Sequence, residues 1–310
     1  MATTRGESPL STAVSSERQR LREEYAASGF STGDYEYLRQ QADDSTAALK
    51  SAGLTRGLDA LKTPRGVINA AVRLLHDPAA EVAPPTNAEV YAAGLLISRL
   101  SRLTRAFAHA PEAWFNALAS LLESIEADAD DIDARLALLE FAAACRGAKV
   151  KIAPHGAARA SLDLEGWKCG AAAVVVAHGD GLTEAAKAGE EALRELRLPG
   201  IIIFEITSAL PPAPRLARVA NEETALAEMR RHLDTYIEPR LEAVAHEVNT
   251  DFAFAGFFSA VMSSVVVSSG RAFYAWCPRA ANLCPPRDAR LTRLERFMHR
   301  LSRPQPRTAL

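Results

Sequence analysis

The stretch AAAVVVA, residues 171–177, decides the fold that the sequence predicts. It contains no polar residue, and Gly170 and Gly179 bound it closely. An uninterrupted apolar run of this length is typical of a strand that is covered on both faces, as in the parallel sheets of α/β proteins. We therefore predict a buried strand over residues 169–177 with helices packed on either side.

Shorter helices and strands are predicted on both sides of this run. Before it the pattern indicates a helix over 131–145 and strands over 149–153 and 160–164; after it, a helix over 182–196, a strand over 200–207 and a long helix over 221–246. The resulting order, α-β-β-β-α-β-α, predicts an α/β fold with a three-layer core.

The uncharged segment 252–270 is long enough to cross a bilayer, but its composition favours a β-hairpin. Serines recur through it, Val265 to Val267 are β-branched, and Asp251 and Arg271 enclose it. We predict one strand over 252–267, a Ser-Ser-Gly turn over 268–270 and a partner strand over 271–277. No membrane span is expected.

The remaining chain divides by composition. We predict a disordered N-terminus over 1–14, a helical region over 15–129, the α/β core over 130–286, and a basic C-terminal helix and tail over 287–310. That last segment holds seven arginines against Asp288 and Glu295, a net charge of +5.

Overall composition excludes several classes of protein. With 48% hydrophobic and 24% charged residues among 310, the chain is neither fully disordered, collagenous nor a multi-span membrane protein. Its formal net charge of −2 means that a charged partner must be met by a local patch. Four cysteines without a CxxC pair indicate reduced thiols, and the charged first 20 residues do not form a secretory signal, so a cytoplasmic location is predicted.

Three motifs in residues 133–210 resemble the PD-(D/E)XK nuclease-like superfamily. Leu139-Glu140-Phe141 places an acidic residue on the helix before the strands, Ser161-Leu162-Asp163 stands where the superfamily has its Pro-Asp, and Val174 to His178 stands where it has the Glu-x-Lys strand. The resemblance implies an α-β-β-β-α-β core with a Mg²⁺-dependent phosphodiesterase site. It further implies metal ligands at Asp163 and Glu140 and a role for His178 at the lysine position.

One departure from this pattern predicts a degenerate site. Val176 takes the place of the glutamate, and a valine cannot ligate a hard cation such as Mg²⁺. A shifted cluster of Glu140, Asp163 and either Glu165 or Glu205 remains as an alternative source of metal ligands. The cofactor expectation is accordingly none, or Mg²⁺ if the chain is catalytic.

The C-terminal arginines offer a second candidate site. Arg290, Arg293, Arg296 and Arg300 recur at three- or four-residue spacing, which places them along one side of a helix. Such a stripe can contact phosphates or an acidic partner, although a solvated Arg-rich face is the favoured interpretation in a chain with 30 Arg and 6 Lys.

Three functions follow from these residues. The favoured one is a non-catalytic nuclease-like protein that binds nucleic acid or a protein partner. The first alternative is a Mg²⁺-dependent nuclease that uses the shifted carboxylate cluster. The second is a structural or assembly protein that associates through residues 252–277, whose aromatic side chains exceed what a short hairpin needs.

Overall fold

The structure, a computed structural model, describes residues 32–77, 80–177, 181–210, 217–266, 271–285 and 288–301. Residues 1–14, His178 and the turn at 268–270 lie outside these ranges. The helices are α1 Thr32–Ser51, α2 Lys62–His76, α3 Asn87–Phe107, α4 Glu112–Glu126, α5 Ile132–Gly147, α6 Leu182–Leu196, α7 Glu222–Ile237, α8 Leu241–Glu247 and α9 Leu291–Leu301. The strands are β1 Lys151–Pro154, β2 Arg159–Leu164, β3 Trp167–Val175, β4 Gly200–Glu205, β5 Ala217–Val219, β6 Ala253–Val266 and β7 Arg271–Asn282.

The predicted helical N-terminal region is confirmed over the described residues, and local sequence sets where its helices begin. Thr86 caps α3: its hydroxyl accepts a hydrogen bond from the Glu89 amide, while the Glu89 carboxylate accepts one from the Thr86 amide. This reciprocal capping box satisfies two donors that the first helical turn leaves open. Pro111 precedes α4 directly, where a missing amide hydrogen is tolerated.

One mixed sheet contains all seven described strands. Strands β1, β2 and β3 form an antiparallel meander, and β4 then lies parallel to β3 after the crossover through α6. β6 lies parallel to β4 along its first half and to β5 at its end, while β7 pairs antiparallel with its other side. The predicted C-terminal hairpin is therefore confirmed as β6 and β7, and its first strand is 14 residues long.

Helices cover both faces of this sheet, as the apolar run at 171–177 predicts. Ala171 and Ile203 belong to a hydrophobic core shared with α1 to α5 and α9, whereas Ala172 and Ile202 belong to a second core shared with α6, α7 and α8. Side chains alternate between the faces of a strand, so one apolar run supplies both cores. The architecture is three-layered, and the N-terminal helices form part of one outer layer.

The predicted order of elements needs two corrections. The single helix expected over 221–246 is divided into α7 and α8 by a 3₁₀ turn at Glu238–Arg240, where Pro239 lacks the amide hydrogen that a continuous helix requires. The sequence also gave no sign of β5, which is only three residues long and pairs with the far end of β6.

Within the segment 252–270, considered above as a membrane span, Ala253–Val266 form strand β6 of the sheet. Within the described part of the chain, no helix has both the length and the apolar character needed to cross a bilayer. Phe254, Phe257 and Phe258 are fully buried. Packing into the two cores thus accounts for these aromatic residues of the hairpin.

Gly189 on α6 allows the helix to lie close to the sheet. A Cβ atom at this position would lie 2.5 Å from Cγ2 of Ile202, which is itself fully buried and closely packed. We expect Gly189→Ala to lower the free energy of unfolding by about 1–3 kcal/mol, because Ile202 has little room to move. Chemical denaturation measures this change.

Gly66 on α2 is the matched control for this substitution. A Cβ there would meet nothing within 4 Å. Gly66→Ala should therefore stabilise the protein by about 0.5–1 kcal/mol through helix propensity alone. Equal effects of the two substitutions would contradict close packing of α6 on β4.

Candidate functional site

A buried ionic cluster joins α3, α5 and β4. The guanidinium of Arg99 lies between two glutamates: its Nε is 2.8 Å from Glu140 Oε1, and its Nη2 is 3.0 Å from Glu140 Oε2 and 3.5 Å from Glu205 Oε2. The three side chains are 4%, 0% and 3% exposed, respectively. Charged side chains are rarely buried to this degree unless they are paired, and here each carboxylate shares the same cation.

The secondary structure explains why these three residues meet. α3 is buried on all sides around Arg99, since residues 97–101 are all buried between the other N-terminal helices and the sheet. Glu205 ends β4 and follows Ile201 and Ile203 on the face that α5 covers. Glu140 on α5 therefore faces both Arg99 and Glu205 across the inside of this layer.

Two carboxylates with one guanidinium leave Glu205 short of positive charge. Burial raises its pKa to about 7, an effect that Arg99 opposes and that the nearby Glu140 reinforces. The Thr207 hydroxyl donates a hydrogen bond to Glu205 Oε1 and accepts one of 3.1 Å from the Val261 amide. Glu205 is thus held by β4, β6 and α3 together.

Asp133 lies at the outer end of the cluster. Its Oδ1 is 3.9 Å from Arg99 Nη1, and half of its side chain is exposed to solvent.

Trp276 of β7 provides a second contact between α3 and the sheet. The guanidinium of Arg102 on α3 stacks 4.6 Å from the centroid of its ring, and its Nε1 donates a hydrogen bond to Ser259 Oγ on β6. α3 is therefore attached to the sheet by two polar contacts.

A metal ion does not fit the residues of this cluster. Among the described residues, no group of three or more His, Cys, Asp or Glu side chains is arranged to hold a metal ion. Between Glu140 and Glu205, the guanidinium of Arg99 already supplies the positive charge that a divalent cation would supply. The arrangement suits a fixed internal ion cluster rather than an ion-binding site.

Asp163 lies away from the cluster on the opposite face of the sheet. It alternates with Leu162 and Leu164, whose side chains enter the core beneath α5, and it pairs in register with Lys168 at the start of β3. Its Oδ1 accepts a 2.6 Å hydrogen bond from the Gly166 amide in the hairpin turn. The structure does not bring Asp163 together with Glu140.

The end of β3, where the resemblance places the Glu-x-Lys strand, lies far from Asp163. Val175 lies seven residues beyond Lys168, the register partner of Asp163, so about 23 Å of strand separates Asp163 from the end of β3. His178 lies outside the described residues. Near the end of β3, the carbonyl oxygen of Ala158, between β1 and β2, accepts a hydrogen bond from the Ala173 amide. Val176, which follows β3, is fully buried.

The predicted basic stripe is shorter than expected: Arg293, Arg296 and Arg300 lie on α9, whereas Arg290 precedes the helix. Arg290 binds Asp288 and lowers the pKa of that carboxyl to about 2. Arg296 and Arg300 both bind Glu165. Arg293 is exposed. On the opposite side of α9, Leu294, Phe297 and Leu301 are buried in the core.

Sequence reasoning missed Arg99 altogether. Arg99, Arg102 and Arg105 recur every third residue along α3, and nothing in their immediate neighbours separates the one that is buried. Each of the three follows a small hydroxyl residue, Ser98, Ser101 or Thr104, so the local sequence carries no signal that singles out Arg99.

Comparison with known proteins does not identify a family. No protein-family model, curated protein or solved structure matches this chain significantly.

The cluster makes Arg99 a strong determinant of stability. Arg99→Met leaves two buried carboxylates without a cation, and we expect a loss of about 3–5 kcal/mol of unfolding free energy at pH 8. Arg105→Met, an exposed position on the same helix, should change it by less than about 0.5 kcal/mol. Urea unfolding distinguishes the two, and similar small effects would contradict the pairing described here.

Glu205 should make stability depend on pH. Since its pKa is raised in the folded protein, the folded state binds this proton more tightly, and the unfolding free energy falls as the pH rises from about 4.5 through 7. Glu205→Gln should remove most of this fall and leave stability at pH 5 nearly unchanged.

Unfolding curves at pH 5, 6, 7 and 8 measure the effect. Glu191→Gln on the exposed surface of α6 is the control and should follow the pH profile of the unmodified protein. A Glu205→Gln profile that fell as steeply as the control would show that Glu205 does not titrate in this range.

Proposed function

We propose that this chain is a nuclease-like protein without metal-dependent catalysis, and that it acts by binding nucleic acid. The guanidinium of Arg99 between Glu140 and Glu205 is the observation that carries the proposal. Its positive charge occupies the space between these two acidic side chains, so this pair offers no open carboxylate site for Mg²⁺.

The order and pairing of the core elements support the nuclease-like assignment. α5, the antiparallel strands β1 to β3, the crossover helix α6 and the parallel strand β4 follow the α-β-β-β-α-β order that the resemblance implies. α5 and α6 pack on opposite faces of these strands. The assignment rests on this topology together with the motifs quoted above.

The positions of the expected ligands support a degenerate site. Asp163 and Glu140 lie on opposite faces of the sheet, and the Glu165 carboxylate is bound by two arginines. β3 ends with Ala173, Val174 and Val175, Val176 follows it, and the Ala158 carbonyl accepts a hydrogen bond from the Ala173 amide; none of these side chains can ligate a cation.

A cluster of positive charge supports the binding function. Lys149, Lys151, Lys168, Arg296 and Arg300, which we call the basic end, lie where β1 begins, β2 ends and β3 begins. The three lysines are exposed, and Asp163 and Glu165 are the acids among them. Such a local excess of positive charge attracts a polyanion even though the chain carries −2 overall.

Cleavage and binding assays on labelled single- and double-stranded DNA and RNA test this function. We expect salt-sensitive binding, with no difference in cleavage between Mg²⁺ or Mn²⁺ and EDTA. Metal-dependent cleavage that Asp163→Asn abolishes would overturn the proposal and establish the nuclease; this variant keeps an acceptor for the Gly166 amide. Absence of both binding and cleavage would favour a protein partner.

Charge reversal locates the binding surface. Lys151→Glu combined with Lys168→Glu should weaken binding and reduce the slope of log affinity against log salt by about 2, since each lysine that contacts a phosphate contributes about 1. Lys50→Glu combined with Lys62→Glu makes the same change in net charge on exposed positions of α1 and α2. Equal losses in the two double variants would contradict binding at the basic end.

A further inference from the structure

The β2–β3 turn presents a carboxylate to helix α9. Leu164 pairs with Trp167, so Glu165 and Gly166 form a two-residue turn, and both have positive φ values, 57° and 83°. These angles are typical of the type I′ turn that matches the twist of a hairpin. The side chain of Glu165 is thereby placed at the tip of a rigid pair of strands.

Two arginines of α9 converge on this carboxylate. Arg296 Nη1 donates to Glu165 Oε2 over 3.0 Å, and Arg300 Nη2 donates to Glu165 Oε1. The two arginines are four residues apart and therefore lie on the same side of the helix. Each oxygen of the carboxylate has its own guanidinium.

The position of these arginines is fixed by the packing of α9. Leu294, Phe297 and Leu301 enter the core, and the ring of Phe297 lies edge-on to Phe141 of α5 at 6.1 Å. A helix anchored in this way holds the Cα atoms of the two arginines at a constant separation. Little additional ordering of the helix is then required when an anion binds to them.

The contact is accessible and exchangeable. The side chains of Arg296, Arg300 and Glu165 are 59%, 45% and 33% exposed. Exposed ion pairs of this kind contribute little to stability, because water solvates the separated charges nearly as well. Another oxyanion can therefore take the place of the carboxylate without disturbing the fold.

We propose that Arg296 and Arg300 form an anion site for a backbone phosphate of nucleic acid, and that Glu165 is its intramolecular competitor. The proposal rests on the nucleic-acid-binding function proposed above and names the residues that perform it. A phosphodiester, like a carboxylate, presents one negative charge shared by two oxygens, and each oxygen can accept hydrogen bonds from one guanidinium. Lys168, three residues after Glu165, adds positive charge beside the same turn.

Removing the competitor should strengthen binding. In fluorescence anisotropy with a labelled single-stranded oligonucleotide in EDTA, we expect Glu165→Gln to raise affinity about three- to tenfold, the range set by two exposed ion pairs. Arg296→Gln and Arg300→Gln should each lower it. Arg293→Gln, an exposed position on the same helix, is the matched control and should have a smaller effect.

The decisive comparison is a double-mutant cycle. If Glu165 competes for the two arginines, the gain from Glu165→Gln should disappear when Arg296→Gln and Arg300→Gln are also present. A gain that persists in that background would reflect net charge alone and overturn the proposal. Losses from Arg293→Gln as large as those from Arg296→Gln would overturn it as well.

Other outcomes separate this proposal from the function on which it rests. Binding that Glu165→Gln leaves unchanged would overturn the competition and leave nucleic-acid binding intact. Absence of binding in both the unmodified chain and Glu165→Gln would overturn nucleic-acid binding itself. If inorganic phosphate displaced the oligonucleotide at an equal concentration of phosphate groups, the site would be one for free phosphate. If a polyglutamate peptide bound as tightly as the oligonucleotide, the partner would be an acidic protein.

Thermal unfolding of every variant serves as the control for folding. Since Glu165, Arg293, Arg296 and Arg300 are exposed at least in part, their midpoints should lie within a few degrees of the unmodified chain. Affinity changes in variants that remain folded then report on the anion site.

Discussion

The ion cluster around Arg99 constrains how the helical region sits on the sheet. A guanidinium cannot be buried without partners, so α3 must place Arg99 where Glu140 and Glu205 can both reach it. The hydrogen bonds continue from Glu205 to Thr207 and from Thr207 to the Val261 amide of β6. Apolar packing alone tolerates small shifts of a helix, but this chain of polar contacts fixes α3 against β4 and β6 in one position.

The same cluster decides what chemistry this layer can support. Glu140 on α5 and Glu205 at the end of β4 bring two carboxylates close together, as in many metal sites. The repulsion between two such carboxylates normally favours a bound cation. Here the compensating charge belongs to the polypeptide and is tethered to α3. Burial is the main reason that the pKa of Glu205 is raised, and the charge of Glu140, which shares the same arginine, raises it further.

The fold was more predictable from sequence than the site. The apolar run at 171–177 correctly indicated a strand covered on both faces, because alternation supplies both cores from one stretch. The ends of this strand were not predicted correctly, because it runs over Trp167–Val175 rather than 169–177. A uniform run of Ala and Val contains no residue that marks where strand pairing stops. Pro239 was visible in the sequence and explains the division of the last long helix.

Side-chain convergence was harder to foresee, for a specific physical reason. Glu140 and Glu205 were both candidates, but whether they meet depends on which face each strand residue occupies, and a shift of one residue reverses that face. Asp163 shows this directly, because it alternates with Leu162 and Leu164 and so points away from Glu140. Arg99 could not be distinguished from Arg102 and Arg105 without knowing that α3 is covered on all sides.

Arginine and glutamate therefore play two different parts in this protein, and solvent exposure separates them. Around Arg99, water cannot replace a lost partner, so the pairing is obligatory and belongs to the fold. Around Glu165, water solvates all three charged groups, so the pairing is weak and exchangeable. A buried guanidinium that is already paired with carboxylates has no capacity for a new ligand, whereas two exposed guanidiniums on an anchored helix retain it. Exposure, rather than the number of arginines or their spacing, thus directs the search for a binding surface to α9 and the β2–β3 turn.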